Sequence, residues 1–250
     1  MTSDLVSIVT PAYKAARFVA ESIRSVQEQD HANWEMLIVD DGSPDDTASV
    51  VQQYADRDSR VKLLRQANAG PAMARQTAVA AAKGNYIAFL DSDDYWLPGK
   101  LSRQLAFMAG TGTPLSFTRF RRINVDGTRL GHLVEVPDSL DYSALLSNTA
   151  IATSTVIVNR AWTGSFKMTK AYYDDFVLWL ELLKRGFTAR GLQEDLMRYR
   201  VVGKSVSRNK LRSAREVWRT YRRIEGLSVP HAAWCFGNYA YNSVRKHRKF

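Results

Sequence analysis

Short apolar runs and longer segments with helical periodicity alternate along the first half of the chain. The apolar runs are rich in β-branched residues and occupy positions 6–10, 36–40, 61–64 and 86–90. The segments between them space their apolar residues as a helix does and cover positions 15–29, 45–55 and 71–82. Strands that alternate with helices of about 10–15 residues are typical of βαβ units, and near-continuous apolar strands indicate burial on both faces. The pattern therefore predicts an α/β fold built on a parallel sheet.

The pattern is weaker in the second half of the chain. We expect three strands and a helix there, at positions 115–120, 128–136, 154–158 and 174–185. Two further helices are predicted at 209–225 and 230–246, separated by Gly226. The chain should therefore consist of an α/β domain over residues 1–208 and C-terminal amphipathic basic helices over residues 209–250.

The net charge of +10 lies entirely in the C-terminal segment. Residues 204–250 hold twelve Lys and Arg side chains and two Glu side chains, so the first 203 residues are neutral overall. The single cysteine, Cys235, excludes an intrachain disulfide and fits a reducing compartment. No apolar run approaches the roughly 18 residues of a membrane span, and the first residues lack the basic-then-apolar pattern of a signal peptide. We therefore expect a cytoplasmic protein.

Polar residues follow each of the four predicted N-terminal strands, at positions 10–13, 40–43, 68–70 and 91–93. Ligands of open α/β sheets bind outside the carboxyl ends of the strands, where these four loops should meet. A single acidic loop is commonly a helix cap, but two acidic loops at one edge are harder to explain in that way. Burying such carboxylates unpaired costs several kcal/mol, so either water or a cation must surround them.

Three stretches together resemble the family 2 glycosyltransferases with the GT-A fold. They are VSIVTPAYKAARFVAESIRSVQEQDHANWEMLIVDDGSPDDT, NAGPAMARQTAVAAAKGNYIAFLDSDDYW and DDFVLWLELLKRG, and the resemblance extends over residues 5–208. It implies an inverting transferase that takes a sugar from a nucleotide diphosphate, usually UDP, with Mg²⁺ or Mn²⁺. A divalent cation that bridges carboxylate and diphosphate would relieve the repulsion between them, because hard cations prefer oxygen ligands.

The resemblance assigns one set of residues to the nucleotide sugar: Thr10, Pro11, Tyr13, Asp41, Asn68, Gly70, Arg75, Asp91, Ser92, Lys204 and Arg208. Within this set, Asp41 matches a carboxylate that hydrogen-bonds uracil. Lys204 and Arg208 lie in a stretch that resembles a loop closing over the donor, where they would offset diphosphate charge; a solvated loop is the alternative. The metal ligands that the resemblance implies are Asp93 and Asp91 of the D-x-D pair.

The catalytic base implied by the resemblance is Asp175. The family usually has a Glu-Asp pair at this place, and this chain has Asp174-Asp175. We expect the second member to take the proton from the acceptor hydroxyl. Taken alone, two carboxylates at the start of a predicted helix are equally well explained as helix caps.

The C-terminal segment combines an apolar stripe with basic residues. The stripe has helical spacing and consists of Leu211, Ala214, Trp218, Tyr221 and Ile224. Basic residues combined with aromatic ones suit a helix that lies on an anionic membrane, where a lipid-linked acceptor would be found. The alternative is that the stripe packs on the catalytic domain and the arginines face water, and both can hold if only the terminal basic cluster touches lipid.

These features favour an inverting, metal-dependent hexosyltransferase. We expect transfer from a UDP-sugar to a hydroxyl of a glycan or lipid-linked saccharide in bacterial surface polysaccharide biosynthesis, with the enzyme peripheral on the cytoplasmic face of the inner membrane. The sequence has no Q-x-x-R-W motif, which disfavours a processive synthase. One alternative is a catalytically inactive GT-A-like scaffold, which the intact carboxylates argue against. The other is a nucleic-acid-binding protein that uses the basic tail, but no helix-turn-helix, zinc-finger or RNA-binding signature accompanies it, so no nucleic acid partner is expected.

Overall fold

The computed structural model describes residues 4–148, 150–202 and 210–247 of the 250-residue chain. In these residues ten strands form one mixed sheet: β1 Val6–Ala12, β2 Trp34–Asp40, β3 Val61–Arg65, β4 Tyr86–Phe89, β5 Tyr95–Trp96, β6 Leu115–Ile123, β7 Leu130–Val134, β8 Ser139–Leu140, β9 Ile157–Asn159 and β10 Ala189–Arg200. Their order across the sheet is β3-β2-β1-β4-β9-β6-β10-β5, with β7 paired to β6 and β8 paired to β10.

The same part of the chain forms nine α-helices: α1 Val19–Gln27, α2 Thr47–Ala55, α3 Pro71–Ala81, α4 Lys100–Thr111, α5 Tyr142–Leu146, α6 Arg160–Thr163, α7 Asp174–Lys184, α8 Lys210–Arg219 and α9 Val229–His247. Helices α1, α2 and α4 cover one face of the sheet with residues such as Ile23, Val51 and Leu101. The other face is covered by α3, α5 and α7–α9. The sheet is therefore buried on both sides, as its apolar strands predict.

The N-terminal half of the sheet is parallel. β1 pairs in parallel with β2 and with β4, and β2 pairs in parallel with β3. Every residue of β2 is buried, which agrees with a central strand covered on both faces. Because these four strands point the same way, the loops that follow them meet at one edge, where Ala12 pairs with Asp40 and Asp40 with Arg65.

The second half of the sheet continues past β4 with mixed direction. β9 runs antiparallel to both β4 and β6, and β6 runs parallel to β10. The carboxyl end of β10 consequently reaches the same edge as the loop after β4. Leu97 N donates to Leu196 O at 3.0 Å and joins that loop to β10.

The two C-terminal helices pack on the α/β core. Val217 and Tyr221 are fully buried, and Ala232 and Cys235 of α9 join the same apolar cluster. The Tyr221 hydroxyl donates to the carbonyl of Leu146 at the end of α5. The described residues thus agree with the second of the two expectations for the tail, in which its apolar stripe packs on the catalytic domain.

The stripe itself differs from the sequence prediction at its end. Residues Thr220–Ile224 form a π-helical turn, in which Glu225 N donates to Thr220 O at 2.9 Å. Such a turn inserts one residue into the helical repeat and rotates the residues after it. Ile224 therefore points outward, 44% exposed. Val217, which lies before the turn and was not in the predicted stripe, is fully buried beside Tyr221, four residues on.

The N-terminal elements confirm the sequence prediction to within a few residues, apart from the start of α1. The chain forms a turn before α1, in which Phe18 N donates to Ala15 O at 2.9 Å, so the helix begins at Val19 and not at position 15. The strand predicted at 154–158 is also displaced, because Thr153–Thr155 form a 3₁₀ turn and the strand begins at Ile157. Helix α4 and strand β10 were not predicted as such.

Candidate active site

Asp41 organises the loop between β3 and α3. Its carboxylate is 2% exposed and accepts hydrogen bonds from Gln66 Nε2 at 2.8 Å, Ala69 N at 2.9 Å and Gly70 N at 2.8 Å. The Asn68 side-chain amide donates in turn to the Asp41 carbonyl at 2.9 Å. A carboxylate has about four acceptor positions, and these three hydrogen bonds leave about one position of Asp41 for a further donor.

Gly70 provides the backbone conformation that this loop requires. Its φ of 92° lies in the left-handed region that favours glycine, and it precedes Pro71 at the first turn of α3. The Gly70 carbonyl accepts from Met73 N and Ala74 N, both at 3.1 Å. The sequence-predicted residues Asp41, Asn68 and Gly70 are therefore brought together by direct contacts.

The loop after β1 lies beside the loop after β2. Asp41 N donates to Ala12 O at 2.9 Å, and Lys14 N donates to Ser43 Oγ at 3.1 Å. Thr10 is fully buried, Pro11 is half-buried, and Tyr13 is exposed at the mouth of the site. The Tyr13 ring is in contact with its neighbour Lys14, whose Nζ lies 5.2 Å from the ring centroid, and its predicted role at the nucleotide stays a prediction.

The loop after β4 carries the D-x-D pair and is fixed by residues from the second half of the chain. Asp91 N donates to Ser154 Oγ at 3.0 Å, and Ser154 Oγ donates to Asp94 Oδ2 at 2.6 Å. The other Asp94 oxygen accepts from Arg200 N at 2.9 Å, while Arg200 Nε donates to Asp93 O at 2.9 Å. Asp94 is thus a structural carboxylate of the loop, and Ser92 between the two predicted metal ligands is buried.

Burial and mutual repulsion shape the charge of this loop. Burial, with the adjacent charge of Asp91, raises the pKa of Asp93 to about 6. Burial also raises the pKa of Asp94 well above its usual range, with Asp93 adding to the effect. Both shifts favour the protonated carboxyl groups, and a cation held between them would favour the charged forms instead.

We tested whether these residues fit a divalent metal ion. The described residues contain no group of three or more His, Cys, Asp or Glu side chains arranged to hold a metal unaided. Asp91 and Asp93 nevertheless supply carboxylate oxygens, the ligands that Mg²⁺ and Mn²⁺ prefer. The residues therefore fit an ion whose coordination is completed by phosphate oxygens of a donor, as Mg²⁺ sites commonly are.

Arg75 connects the D-x-D loop to the start of α7. Its side chain is 8% exposed; Nη2 donates to Asp91 Oδ1 at 2.6 Å and Nη1 to Asp174 Oδ2 at 2.7 Å. Burial opposes the charge of Arg75, but Asp91 and Asp174 outweigh it and raise the pKa of the guanidinium. Arg75 therefore stays charged and ties together two acidic loops that are far apart in sequence.

The two carboxylates that begin α7 have different surroundings. Asp174 is buried against Arg75, and burial raises its pKa although Arg75 opposes the shift. Asp175 is half-buried; Thr153 Oγ1 donates to its Oδ2 at 2.5 Å, and Phe176 N donates to its Oδ1 at 2.7 Å. Asp175 is thus the member of the pair that solvent and a substrate can reach, and Thr153 orients it.

Sequence reasoning missed three residues that hold this site: Ser154, Thr153 and Arg200. Arg200 is the most connected of them, because it also donates to Val125 O at 2.7 Å and forms an ion pair with Glu21. Its position at the end of an unrecognised strand gave no signal in the sequence. Lys204 and Arg208 lie outside the described residues, so their predicted role near the diphosphate stays a prediction.

The edge of the sheet therefore presents adjoining polar loops, a carboxylate pair suited to a hard cation and a separate, half-buried carboxylate. Comparison with known proteins agrees with that arrangement. Residues 7–171 match the family described as Glycosyl transferase family 2. The chain belongs to this family and is a glycosyltransferase.

Two bacterial relatives are similar over most of their length. TuaG of Bacillus subtilis (strain 168), whose name assigns it to teichuronic acid biosynthesis, is 43% identical over 244 residues, which cover 97% of each chain. WfgD of Escherichia coli, named a UDP-Glc:α-D-GlcNAc-diphosphoundecaprenol β-1,3-glucosyltransferase, is 36% identical over 220 residues, covering 87% of this chain and 85% of WfgD.

Solved structures with lower identity share the GT-A fold. Residues 1–349 of Staphylococcus aureus TarS, solved with UDP-GlcNAc, superpose with a TM-score of 0.71 at 17% identity, covering 98% of this chain and 73% of that one. The mannosyltransferase PcManGT from Pyrobaculum calidifontis, solved with GDP-Man and Mn²⁺, gives a TM-score of 0.67 at 17% identity, covering 99% of this chain and 76% of the other. The predicted GT-A fold is confirmed.

Proposed function

We propose that this chain is an inverting, metal-dependent and non-processive hexosyltransferase of bacterial surface polysaccharide biosynthesis. It transfers a sugar from a UDP-sugar to a hydroxyl of a glycan or lipid-linked saccharide. The observation that carries the proposal is the difference between the two carboxylates at the start of α7. Arg75 forms an ion pair with Asp174, and Asp175 stays accessible. A direct displacement needs one such base, and Asp175 fits it.

The nucleotide is held, in this proposal, by the loops after the first three strands. The remaining acceptor position of Asp41 takes an N–H of the uracil edge, and the exposed Tyr13 ring lies over the base. TarS was solved with UDP-GlcNAc and WfgD is named for UDP-Glc, which supports a uridine donor.

The transfer step itself involves, in this proposal, the D-x-D loop and Asp175. Asp93 and Asp91 would hold a Mg²⁺ or Mn²⁺ ion, which would supply Lewis-acid stabilisation of the departing diphosphate. Asp175 accepts the proton of the attacking hydroxyl, and Thr153 keeps the carboxylate pointed at it. The anomeric carbon inverts because attack and departure occur on opposite faces in one displacement.

The relatives' names support the proposed acceptor. WfgD is named for a saccharide on diphosphoundecaprenol, and TuaG for teichuronic acid, which supports a lipid-linked or polymeric glycan acceptor. Within the described residues we find no helix with the length and hydrophobicity that crossing a bilayer requires. We propose a peripheral location on the cytoplasmic face of the inner membrane.

A donor screen tests the proposal. UDP release is measured with a panel of UDP-sugars and a saccharide acceptor, with Mn²⁺ or Mg²⁺ and again with excess EDTA. We expect one UDP-sugar to give acceptor-dependent release that EDTA abolishes and a product of inverted anomeric configuration. No release with any UDP-sugar, or a product of retained configuration, contradicts the proposal.

A further inference from the structure

Helix α9 has no formally charged residue before position 245. Residues 226–244 contain no Asp, Glu, Lys or Arg, in a chain that is 24% charged. On this stretch Val229 is 55% exposed, Trp234 is 72% exposed and Tyr241 is 68% exposed. Exposed aromatic residues on an uncharged surface are the kind of feature that marks an interaction site.

The fold does not need these aromatic side chains. Ala232 and Cys235 bury the inward stripe of α9, and Phe236 packs against Trp218 with ring centroids 5.8 Å apart. Trp234 and Tyr241 lie on the opposite side of the helix, seven residues apart and therefore on one face. Their exposure is consequently not a by-product of packing the tail on the core.

Basic residues border this uncharged face. Arg215, Arg219, Arg222 and Arg223 are exposed on α8 and the turn that follows it. In the sequence, the uncharged stretch 226–244 is followed by Arg245, Lys246, Arg248 and Lys249. An uncharged aromatic stretch that is flanked in the sequence by basic residues is complementary to an anionic bilayer, whose headgroups attract cations while its interface accepts indole and phenol rings.

We propose that the outward face of α9, anchored by Trp234 and Tyr241, lies in the headgroup region of an anionic bilayer. The inference rests on the proposed function in one respect, because the proposed lipid-linked acceptor gives membrane attachment a purpose. The N-terminal end of α8 adjoins the active site, where the Arg212 guanidinium lies 4.9 Å from the ring of Tyr172, two residues before Asp174. Membrane contact through α9 would hold the enzyme at the surface in which a lipid-linked acceptor lies.

A second copy of this chain is the competing occupant of the same face. Two copies joined there would bring their arginine groups together, which costs free energy because like charges repel. An anionic bilayer gains from the same arginines, and each basic residue near such a surface is worth about fivefold in partitioning. The charge pattern thus favours lipid.

The test compares aromatic variants in vesicle binding. Full-length wild type, Trp234→Ala/Tyr241→Ala and the control Trp162→Ala are co-sedimented with phosphatidylglycerol-containing vesicles and with phosphatidylcholine vesicles. Trp162 is also an exposed tryptophan, at 51%, but it lies on α6 beside the start of β4. We expect anionic vesicles to bind wild type and the control equally and the double variant at least about tenfold more weakly, in proportion to two lost anchors.

Fluorescence quenching locates the contact. Brominated anionic lipid should quench wild-type tryptophan emission, with the quenching lost in Trp234→Phe and retained in Trp162→Phe. Equal vesicle binding by all variants overturns the proposal. So does equal binding to neutral vesicles, or a wild-type dimer in light scattering that the double variant converts to monomer. UDP release with a soluble acceptor should be the same in every variant, so that a failure of membrane binding is distinguishable from a failure of the proposed activity.

Discussion

Contacts made by single residues distinguish the two carboxylates at the start of α7. Arg75 contacts Asp91 and Asp174, which lie 16 and 99 positions away in sequence. Separating a buried ion pair leaves uncompensated charge, which costs free energy. The two contacts of Arg75 therefore hold the D-x-D loop and the start of α7 together. Asp175 escapes the pairing and is oriented by the smaller, neutral Thr153. The proposed function thus gives the neighbouring aspartates separate tasks, one electrostatic and one chemical.

The first prediction separates those tasks. Asp175→Asn should leave the Kd for UDP nearly unchanged while kcat falls by about 10²–10⁴, because the amide cannot accept the acceptor proton. Asp174→Asn is the matched control; it should lower stability by weakening the Arg75 contact and leave more activity than Asp175→Asn. Calorimetric UDP titration and single-turnover kinetics measure both. If Asp174→Asn shows the larger loss of kcat at equal stability, Asp174 is the base.

At the scale of elements, helix α4 contains a buried lysine at its first position. Lys100 is fully buried, its Nζ lies 3.8 Å from the centroid of the Trp96 ring, and it has no hydrogen-bond acceptor among the described residues. Burial lowers the pKa of Lys100 well below its usual range. The Trp96 ring offsets part of the cost of the charge, but no carboxylate in the described part of the chain pairs with Lys100.

The second prediction follows from that environment. Lys100→Met should raise the free energy of unfolding at pH 7 by about 1–3 kcal/mol, since it removes an unpaired polar group and keeps the volume. Protons bind Lys100 more weakly in the folded than in the unfolded chain, so wild-type stability rises with pH up to the unfolded pKa of about 10.4. Urea unfolding at several pH values measures this. If the gain in stability of Lys100→Met over wild type does not shrink as the pH approaches 10, the buried charge of Lys100 is not its cause.

The elements also show what the sequence could and could not predict. The four N-terminal strands and Asp41, Asp91 and Asp93 were predictable because apolar runs and the polar loops after them are local patterns. Strand β10 was not, because its pairing with β6 contains register shifts that interrupt the alternation of buried residues. Arg200 was missed with it. The rotation of Ile224 out of the core depends on a π-helical turn that no local pattern signals.

At the scale of the whole molecule, the basic tail is part of the structure that builds the site. Phe176, the residue after the proposed base, contacts Tyr221 with ring centroids 6.5 Å apart. Tyr142 on α5 donates to Glu225 at 2.7 Å, and Lys184 at the end of α7 pairs with the same carboxylate at 3.2 Å. The position of Asp175 therefore depends on packing between α7 and the C-terminal helices.

The third prediction compares two aromatic residues of the tail. Tyr221→Ala should lower the free energy of unfolding by about 3–5 kcal/mol, because it empties a buried site between α5 and α7. Trp234→Ala should change it by no more than about 0.5 kcal/mol, since that side chain is exposed. Urea unfolding monitored by circular dichroism gives both values. Similar losses in the two variants would show that the tail packs on the core in another way.

The most direct test of the central claim is metal-dependent sugar transfer at the D-x-D loop. Turnover of the preferred UDP-sugar and Mn²⁺ affinity are measured together for wild type and for Asp93→Ala. We predict that EDTA stops wild-type turnover and that added Mn²⁺ restores it. Asp93→Ala should stay folded, bind Mn²⁺ with UDP more weakly and lose roughly 10³-fold or more in rate. Full wild-type turnover in excess EDTA, or normal turnover by Asp93→Ala, contradicts the account.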